Sequence, residues 1–263
     1  MSKFTRFMVR LLVAVVCVNA AVLNWQVYRA ENSLTMQGIM QDARMMINES
    51  MTVNIANYLT PPSVMIQRVM PTVVQIKILT GEISPFNGMP EAYIGAGVLV
   101  GNGCILTCKH LVSDLEIPGS VGIVTFANGY ETNIVGFAVD PNSEVAAVRI
   151  MGGPSEYATL APDEIVRVGD PVWVIGSPFG LSWSVSHGIV SRTFKDDSDG
   201  CSIQVDAATN PGNSGGPVFD SMGRVIGIAI KIWPGPISSG VGLLIGIDKI
   251  NDVLPDLINQ LNG

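Results

Sequence analysis

The stretch Asp206-Ala207-Ala208-Thr209-Asn210-Pro211-Gly212-Asn213-Ser214-Gly215-Gly216-Pro217 constrains this chain more than any other. It sets Gly212, Gly215 and Gly216 around one serine, Ser214, with Pro211 and Pro217 stiffening the ends. A serine hydroxyl is a poor nucleophile until a base takes its proton and backbone N–H groups receive the negative oxygen that forms. Glycines allow the tight or positive-φ turns that point several N–H groups at one spot. The stretch therefore reads either as a nucleophile loop or, without chemistry, as a glycine-rich turn between strands. The position of the bases discriminates between the two.

The chain has only two histidines, His110 and His187, and both precede Ser214. Gly212-Asn213-Ser214-Gly215-Gly216 also fits the nucleophile elbow of α/β-hydrolases, but that fold needs a histidine after the serine. Counting excludes it. The order His, acid, Ser stays open, and it is the chymotrypsin order. The order acid, His, Ser would need a parallel sheet with interleaved helices, and residues 70–247 show few helical patterns.

Those residues read instead as short strands. Residues 72–79 alternate in their second half. Gly101-Asn102-Gly103 separates strands at 93–100 and 104–107 and is a hairpin cue. Further strands are expected at 122–126, 132–138, 145–150, 171–175, 185–193, 202–205, 225–232 and 241–247. Apolar residues form 48% of the chain, charged ones 14%, and Gly and Pro number 28 and 16, a mix that suits a turn-rich β protein. Short strands with regular turns imply antiparallel barrels or sandwiches. Residues 248–261 carry Ile250, Val253, Leu254, Leu257, Ile258 and Leu261 at helical spacing, after an Asp248 cap and across Pro255. No internal repeat is evident.

The N-terminus has its own character. Lys3, Arg6 and Arg10 precede an apolar run from Leu11 to Val18, which resumes after Asn19. Residues 1–27 read as a targeting segment: a signal peptide cleaved after Val18-Asn19-Ala20, or an uncleaved anchor in the inner membrane over residues 11–27. A buried helix is the bland alternative. Either targeting reading exports the rest of the chain to the periplasmic side. Residues 28–65 read as a helical or loosely ordered stalk ending near Pro61-Pro62, with β signal from Val64 onward. Net charge is −7, which argues against a nucleic-acid partner. The four cysteines, at 17, 104, 108 and 201, form no disulfide framework and, with the histidines, no zinc spacing. No metal or cofactor is expected. Cys104 and Cys108 lie about 13 Å apart at strand rise, too far for a bridge. A pairing with Cys201 stays open.

Four blocks together carry a family resemblance. They are Gly95-Ala96-Gly97-Val98-Leu99-Val100 through Ile105-Leu106-Thr107-Cys108-Lys109-His110; Asp140-Pro141-Asn142-Ser143-Glu144-Val145-Ala146-Ala147-Val148; Gly176-Ser177-Pro178-Phe179-Gly180-Leu181 with Gly188-Ile189-Val190-Ser191; and the serine loop. In this order, over roughly residues 66–250, they resemble the HtrA/Deg branch of the chymotrypsin-like serine proteases. The resemblance implies an all-β fold of two antiparallel six-stranded barrels, 66–160 and 161–247, with a C-terminal helix at 248–263. It implies His110 as general base, Ser214 as nucleophile, and an oxyanion hole at Gly212, Asn213 and Ser214. The third member falls on Glu144, where the family has Asp; its extra methylene moves the carboxylate by about 1.5 Å. Asp140 is the fallback acid. His187 reads as a structural or surface residue.

Relatives that cut after Lys or Arg place a carboxylate six residues before the nucleophile, and here Ala208 stands there. Ala208 with Gly242, Leu243 and Ile245 gives an apolar pocket, hence cleavage after small or medium aliphatic residues of unfolded or misfolded exported proteins. The loop 233–239 would shape that pocket. Family members carry PDZ domains after the protease, and this sequence is expected to hold the protease portion alone. Polypeptides are the implied partners, along with homotrimer formation through N-terminal elements within 28–65. The rival reading is a pseudoprotease, a binding or chaperone-like protein on the same fold.

Overall fold

The computed structural model describes residues 61–83, 90–163, 165–181, 183–194, 200–232 and 241–262, together with Thr5, Met8 and Asn19. The targeting segment apart from those three residues, the stalk up to residue 60 and the loop 233–239 lie outside the described residues. Every element named below falls within the unit Asn57–Gly263.

Where β signal was expected from Val64, the chain first forms helix α1, Pro62–Val69. Pro62 is the reason: at the first helical position its fixed φ is already helical and its missing N–H would have had no partner. Met65 and Val69, four apart on one face, are 2% and 5% exposed and belong to the hydrophobic core. Arg68 Nη2 donates to the Met222 carbonyl at 2.5 Å, tying the helix to a distant turn.

The first barrel is β1 (Val73–Ile83), β2 (Pro90–Gly101), β3 (Cys104–Cys108), β4 (Val121–Phe126), β5 (Glu131–Val139) and β6 (Val145–Ile150). Its strands run in the order β1-β2-β3-β6-β5-β4 and close on β1. The Gly101-Asn102-Gly103 turn pairs Gly101 with Cys104, as its composition predicted. β4 buries alternate residues, Gly122, Val124 and Phe126. β6 is apolar almost without interruption, and helix α3, Ile247–Asn262, packs on it and on β5. A strand covered on both faces has no polar side to show. The helix buries Ile247, Ile250, Leu254 and Leu257 along one stripe and carries Pro255 in its interior; Asp248 lies in its first turn rather than before it.

A two-residue strand, β7 (Thr159–Leu160), leads into the second barrel and pairs parallel with β12 (Arg224–Ile232). That barrel comprises β8 (Pro171–Gly176), β9 (Ser184–Thr193), β10 (Cys201–Val205), β11 (Pro217–Phe219), β12 (Arg224–Ile232) and β13 (Gly242–Gly246). The order is β8-β9-β10-β13-β12, and β11 closes the ring by pairing with both β12 and β8. Strand for strand this repeats the first barrel. Among the described residues no helix is long and apolar enough to cross a membrane.

Candidate active site

His110 sits just after β3, in the four-residue helix α2, Lys109–Val112. Leu111 and Val112, 4% and 0% exposed, pin this turn to the core. Glu144 precedes β6, which pairs with β3 residue by residue up to Cys108–Val145. The Glu144 carbonyl accepts the Lys109 N–H at 2.8 Å, and its Oε2 accepts both the His110 N–H at 3.1 Å and His110 Nδ1 at 2.6 Å. The longer acid thus reaches the imidazole from a backbone that strand pairing fixes. Asp140 is engaged elsewhere: its Oδ2 accepts the Ser143 hydroxyl at 2.5 Å and stands 3.7 Å from Lys249 Nζ.

The other ring nitrogen of His110, Nε2, meets the Cys108 sulfur at 3.5 Å. Hydrogen bonds to Cys108 and then Glu144, opposed by burial, push the imidazole pKa up to about 10. The bond from His110 holds the Glu144 carboxyl below its ordinary range.

Ser214 lies in the connection from β10 to β11. Its hydroxyl donates to the Ile230 carbonyl at 3.2 Å, and its own carbonyl accepts the Ala96 N–H from β2 at 2.8 Å. The loop presses closely on the first barrel. A side chain at Gly215 would lie 2.1 Å from Thr107 Oγ1 and 2.3 Å from the Ala96 carbonyl, and its φ of +80° also suits only glycine. Gly95 is glycine for room as well: a Cβ there would stand 2.4 Å from Leu111 and 2.8 Å from the Ser214 carbonyl.

The N–H directions follow from peptide planarity, because each N–H points opposite to the preceding carbonyl across a trans bond. The Pro211 carbonyl accepts from Phe179 N at 2.9 Å, so the Gly212 N–H faces away from the 177–181 loop. The Asn213 carbonyl accepts from Gly216 N at 2.9 Å, which turns the Ser214 N–H outward. Among the described residues neither the Gly212 nor the Ser214 N–H has an acceptor, whereas the Asn213 N–H bonds to the Asn210 carbonyl at 2.9 Å. Two backbone donors, the N–H groups of Gly212 and Ser214, are therefore left open on either side of Asn213 among the described residues. The Gly-Ser-Pro-Phe block explains itself here, since Ser177 N also donates to the Gly212 carbonyl at 3.2 Å.

Beside Ser214 opens a cavity of about 210 Å³ lined by Thr209, Asn210, Pro211, Asn213, Ser214, Ala229 and Ile230. Its far wall is β12, not β13. Leu243 and Ile245 are 4% and 0% exposed in the barrel core, and Gly242 serves by making room for Thr209, whose Oγ1 would be 2.7 Å from a Cβ there. Ala208 is exposed and gives its carbonyl to Ser186 Oγ at 2.7 Å. The sequence pattern hid Ala229 and Ile230 because both also read as core residues of a strand. His187 stacks on Trp173, ring centroids 4.8 Å apart, remote in role from His110. Cys104, Cys108 and Cys201 are buried, and burial pushes the Cys104 thiol up. Among the described residues no cluster of His, Cys, Asp and Glu could hold a metal ion.

Comparison with known proteins agrees with this geometry. The trypsin-like peptidase domain family matches residues 95–228. A probable periplasmic serine endoprotease, DegP-like, of Brucella suis biovar 1 (strain 1330) is 36% identical over 182 residues, covering 67% of this chain and 35% of its own. A DegP-like relative from Pseudomonas putida (strain GB-1) is 38% identical over 173 residues, covering 64% and 35%. The chain thus spans about a third of the length of these curated relatives. Among solved structures, the HtrA-type protease AlgW with tripeptide is 30% identical, with TM-score 0.64 over 76% of this chain and 64% of that one. AlgW with decapeptide is 26% identical, with TM-score 0.63 over 77% and 69%.

Proposed function

The chain belongs to the trypsin-like peptidase domain family, with HtrA/DegP-like relatives, and from that premise we propose that it is a serine endopeptidase working through Ser214, His110 and Glu144. Glu144 holds the imidazole in the tautomer that leaves Nε2 free to accept a proton. His110 then takes the Ser214 proton as Oγ attacks the substrate carbonyl. The Gly212 and Ser214 N–H groups receive the oxyanion. The imidazolium returns its proton to the leaving amine, and water, activated by the same base, releases the acyl group. The observation that carries this reading is the 2.6 Å Glu144–His110 bond beside a loop whose Gly212 and Ser214 N–H groups have no acceptor among the described residues.

Among the described residues no charged side chain lines the cavity beside Ser214, and Ala229 and Ile230 give it an apolar wall, which supports cleavage after small or medium aliphatic residues. Unfolded or misfolded exported polypeptides are the proposed substrates. The periplasmic names of the relatives and the basic-then-apolar residues 1–27 support work on the outer side of the inner membrane. Residues 1–27 target or anchor the chain, the segment 28–65, whose last four residues belong to helix α1, is the element through which it trimerises, and 66–160 and 161–247 supply the two halves of the site, followed by the helix to 263.

Covalent labelling of the full chain by a fluorophosphonate tests the core of this reading. Wild type should label and Ser214→Ala should not. Glu144→Ala should label more slowly and Glu144→Asp in between. Full-rate labelling of Glu144→Ala would remove that residue from the mechanism. No labelling of folded wild type at any pH would leave a binding protein on a protease fold.

A further inference from the structure

Cys108 occupies a place that the mechanism above does not use. It is the last residue of β3, 0% exposed, lying beneath the nucleophile loop; a Cβ on Gly215 would stand 3.1 Å from its backbone nitrogen. Its sulfur is 3.5 Å from Nε2 of His110, the nitrogen that must accept the Ser214 proton. The Ser214 hydroxyl meanwhile donates to the Ile230 carbonyl. Each partner of the expected Ser–His bond is thus held by something else. A cysteine sulfur is only a weak donor to a neutral imidazole, and as an acceptor from a charged one it favours the charged ring.

We propose that Cys108 is a positioning residue for the base, its thiol holding His110 Nε2 in competition with the Ser214 hydroxyl and so setting the pH at which the base becomes available. This rests on the endopeptidase reading above.

The surroundings of the imidazole leave Cys108 this influence. From the end of β3 comes the thiol, and from the β5–β6 connection the Glu144 carboxylate. Lys109, on the same turn, places its ammonium against the Asp140 carbonyl at 3.1 Å and helps keep Glu144 ionised. From the second barrel, residues 210–216 bring no charged side chain. The hydrogen bond from Cys108 is the largest cause of the raised imidazole pKa, ahead of that from Glu144. An imidazolium cannot take a proton from Ser214. In productive catalysis Nε2 must therefore turn from sulfur to the serine oxygen, which leaves the Ile230 carbonyl at the same time.

Two readouts on the full chain test this separately from the peptidase reading. The first is the ring-nitrogen NMR titration of His110, simple to assign because the chain has two histidines and His187→Ala identifies the other. In Cys108→Ala the His110 midpoint should fall by at least ~1 pH unit. Cys108→Ser, which keeps a shorter hydroxyl in the same place, should lie between and serves if the alanine variant does not fold. The second is the pH profile of fluorophosphonate labelling. Its acidic limb should move down with the NMR midpoint, making Cys108→Ala at least about tenfold faster at pH 7, since one unit of pKa is tenfold in the neutral fraction. A His110 midpoint unmoved by both substitutions overturns the proposal, whatever labelling does. Labelling absent from wild type but present in Cys108→Ala supports it strongly. Labelling absent from every folded variant at every pH overturns the peptidase reading, and with it the catalytic meaning of the contact.

Discussion

The two barrels share one strand order, and the same connection, from the third strand to the fourth, carries His110 in the first and Ser214 in the second. The connections are built in opposite ways. The first is a helical turn pinned by Leu111 and Val112, with Glu144 tied to its backbone and its side chain. The second is a loop of glycine and proline whose carbonyls are tied back by Ser177, Phe179 and Gly216. In the proposed mechanism the first connection supplies a base, which works through an oriented side chain, and its segment is anchored by side chains. The second supplies an oxyanion hole, which works through oriented N–H groups, and its segment is shaped by backbone bonds and by residues without side chains. The fold repeats while the chemistry divides.

The comparison breaks first if the halves act independently. His110→Ala and Ser214→Ala should each lower kcat by on the order of 10⁶-fold, and the double variant should be no worse than either, because residues acting as one unit are not additive. Single-turnover hydrolysis of a peptide ester would measure this. Additive losses would mean that the two connections do not meet in one reaction.

Smaller variants should separate the two construction principles. A methyl at Gly212, where φ is +100°, would stand 2.2 Å from the Ser177 carbonyl, so the loop must shift and its outward N–H groups with it. Gly212→Ala should cost about 10²–10³-fold in kcat, the range for losing one oxyanion donor. Leu111→Ala should act mainly on the fold, lowering stability by about 2–5 kcal/mol, because it empties a buried site under the base. Chemical denaturation read beside kcat for both variants would show whether the loss falls on function in one barrel and on stability in the other.

The same division governed what could be read from the sequence. Side-chain chemistry was legible in part: two histidines and one serine among glycines gave the order His, acid, Ser, and it was the family resemblance that directed attention to His110, Glu144 and Ser214. Alternating and continuous apolar runs gave eleven of the thirteen described strands, enough to imply barrels, and the C-terminal stripe gave the helix. Three things were not legible. The helix at Pro62–Val69 was hidden because Pro61-Pro62 reads as an end, although proline at a first helical position is also a start signal. The strand Pro217–Phe219 is three residues long and exists only because β8 and β12 lie on either side of it. The pocket wall at Ala229 and Ile230 depends on which strands become neighbours when the rings close, and no local pattern encodes that.

The smallest effect should sharpen the comparison furthest, because only the first barrel's half titrates. With the imidazole half exposed, the His110–Glu144 pair is screened and should contribute no more than about 1 kcal/mol to stability. Its pH window follows from the two shifts. Glu144 has a lowered pKa in the folded chain, so its share is present above the unfolded value, about 4.3, and is lost as pH falls through the folded one. His110 has a raised pKa, so its share is complete below the unfolded value, about 6.5, and is lost as pH rises through about 10. The Tm difference between wild type and Glu144→Gln should therefore be greatest near pH 5–6, at about 2–4 °C, and shrink towards both pH 3 and pH 10. Ser214→Ala should shift no part of that curve, since neither Ser214 nor the N–H groups around it changes charge. A Ser214→Ala effect that varies with pH would show that the serine loop feels the charge of the base even at rest, and that the two halves are coupled before substrate arrives.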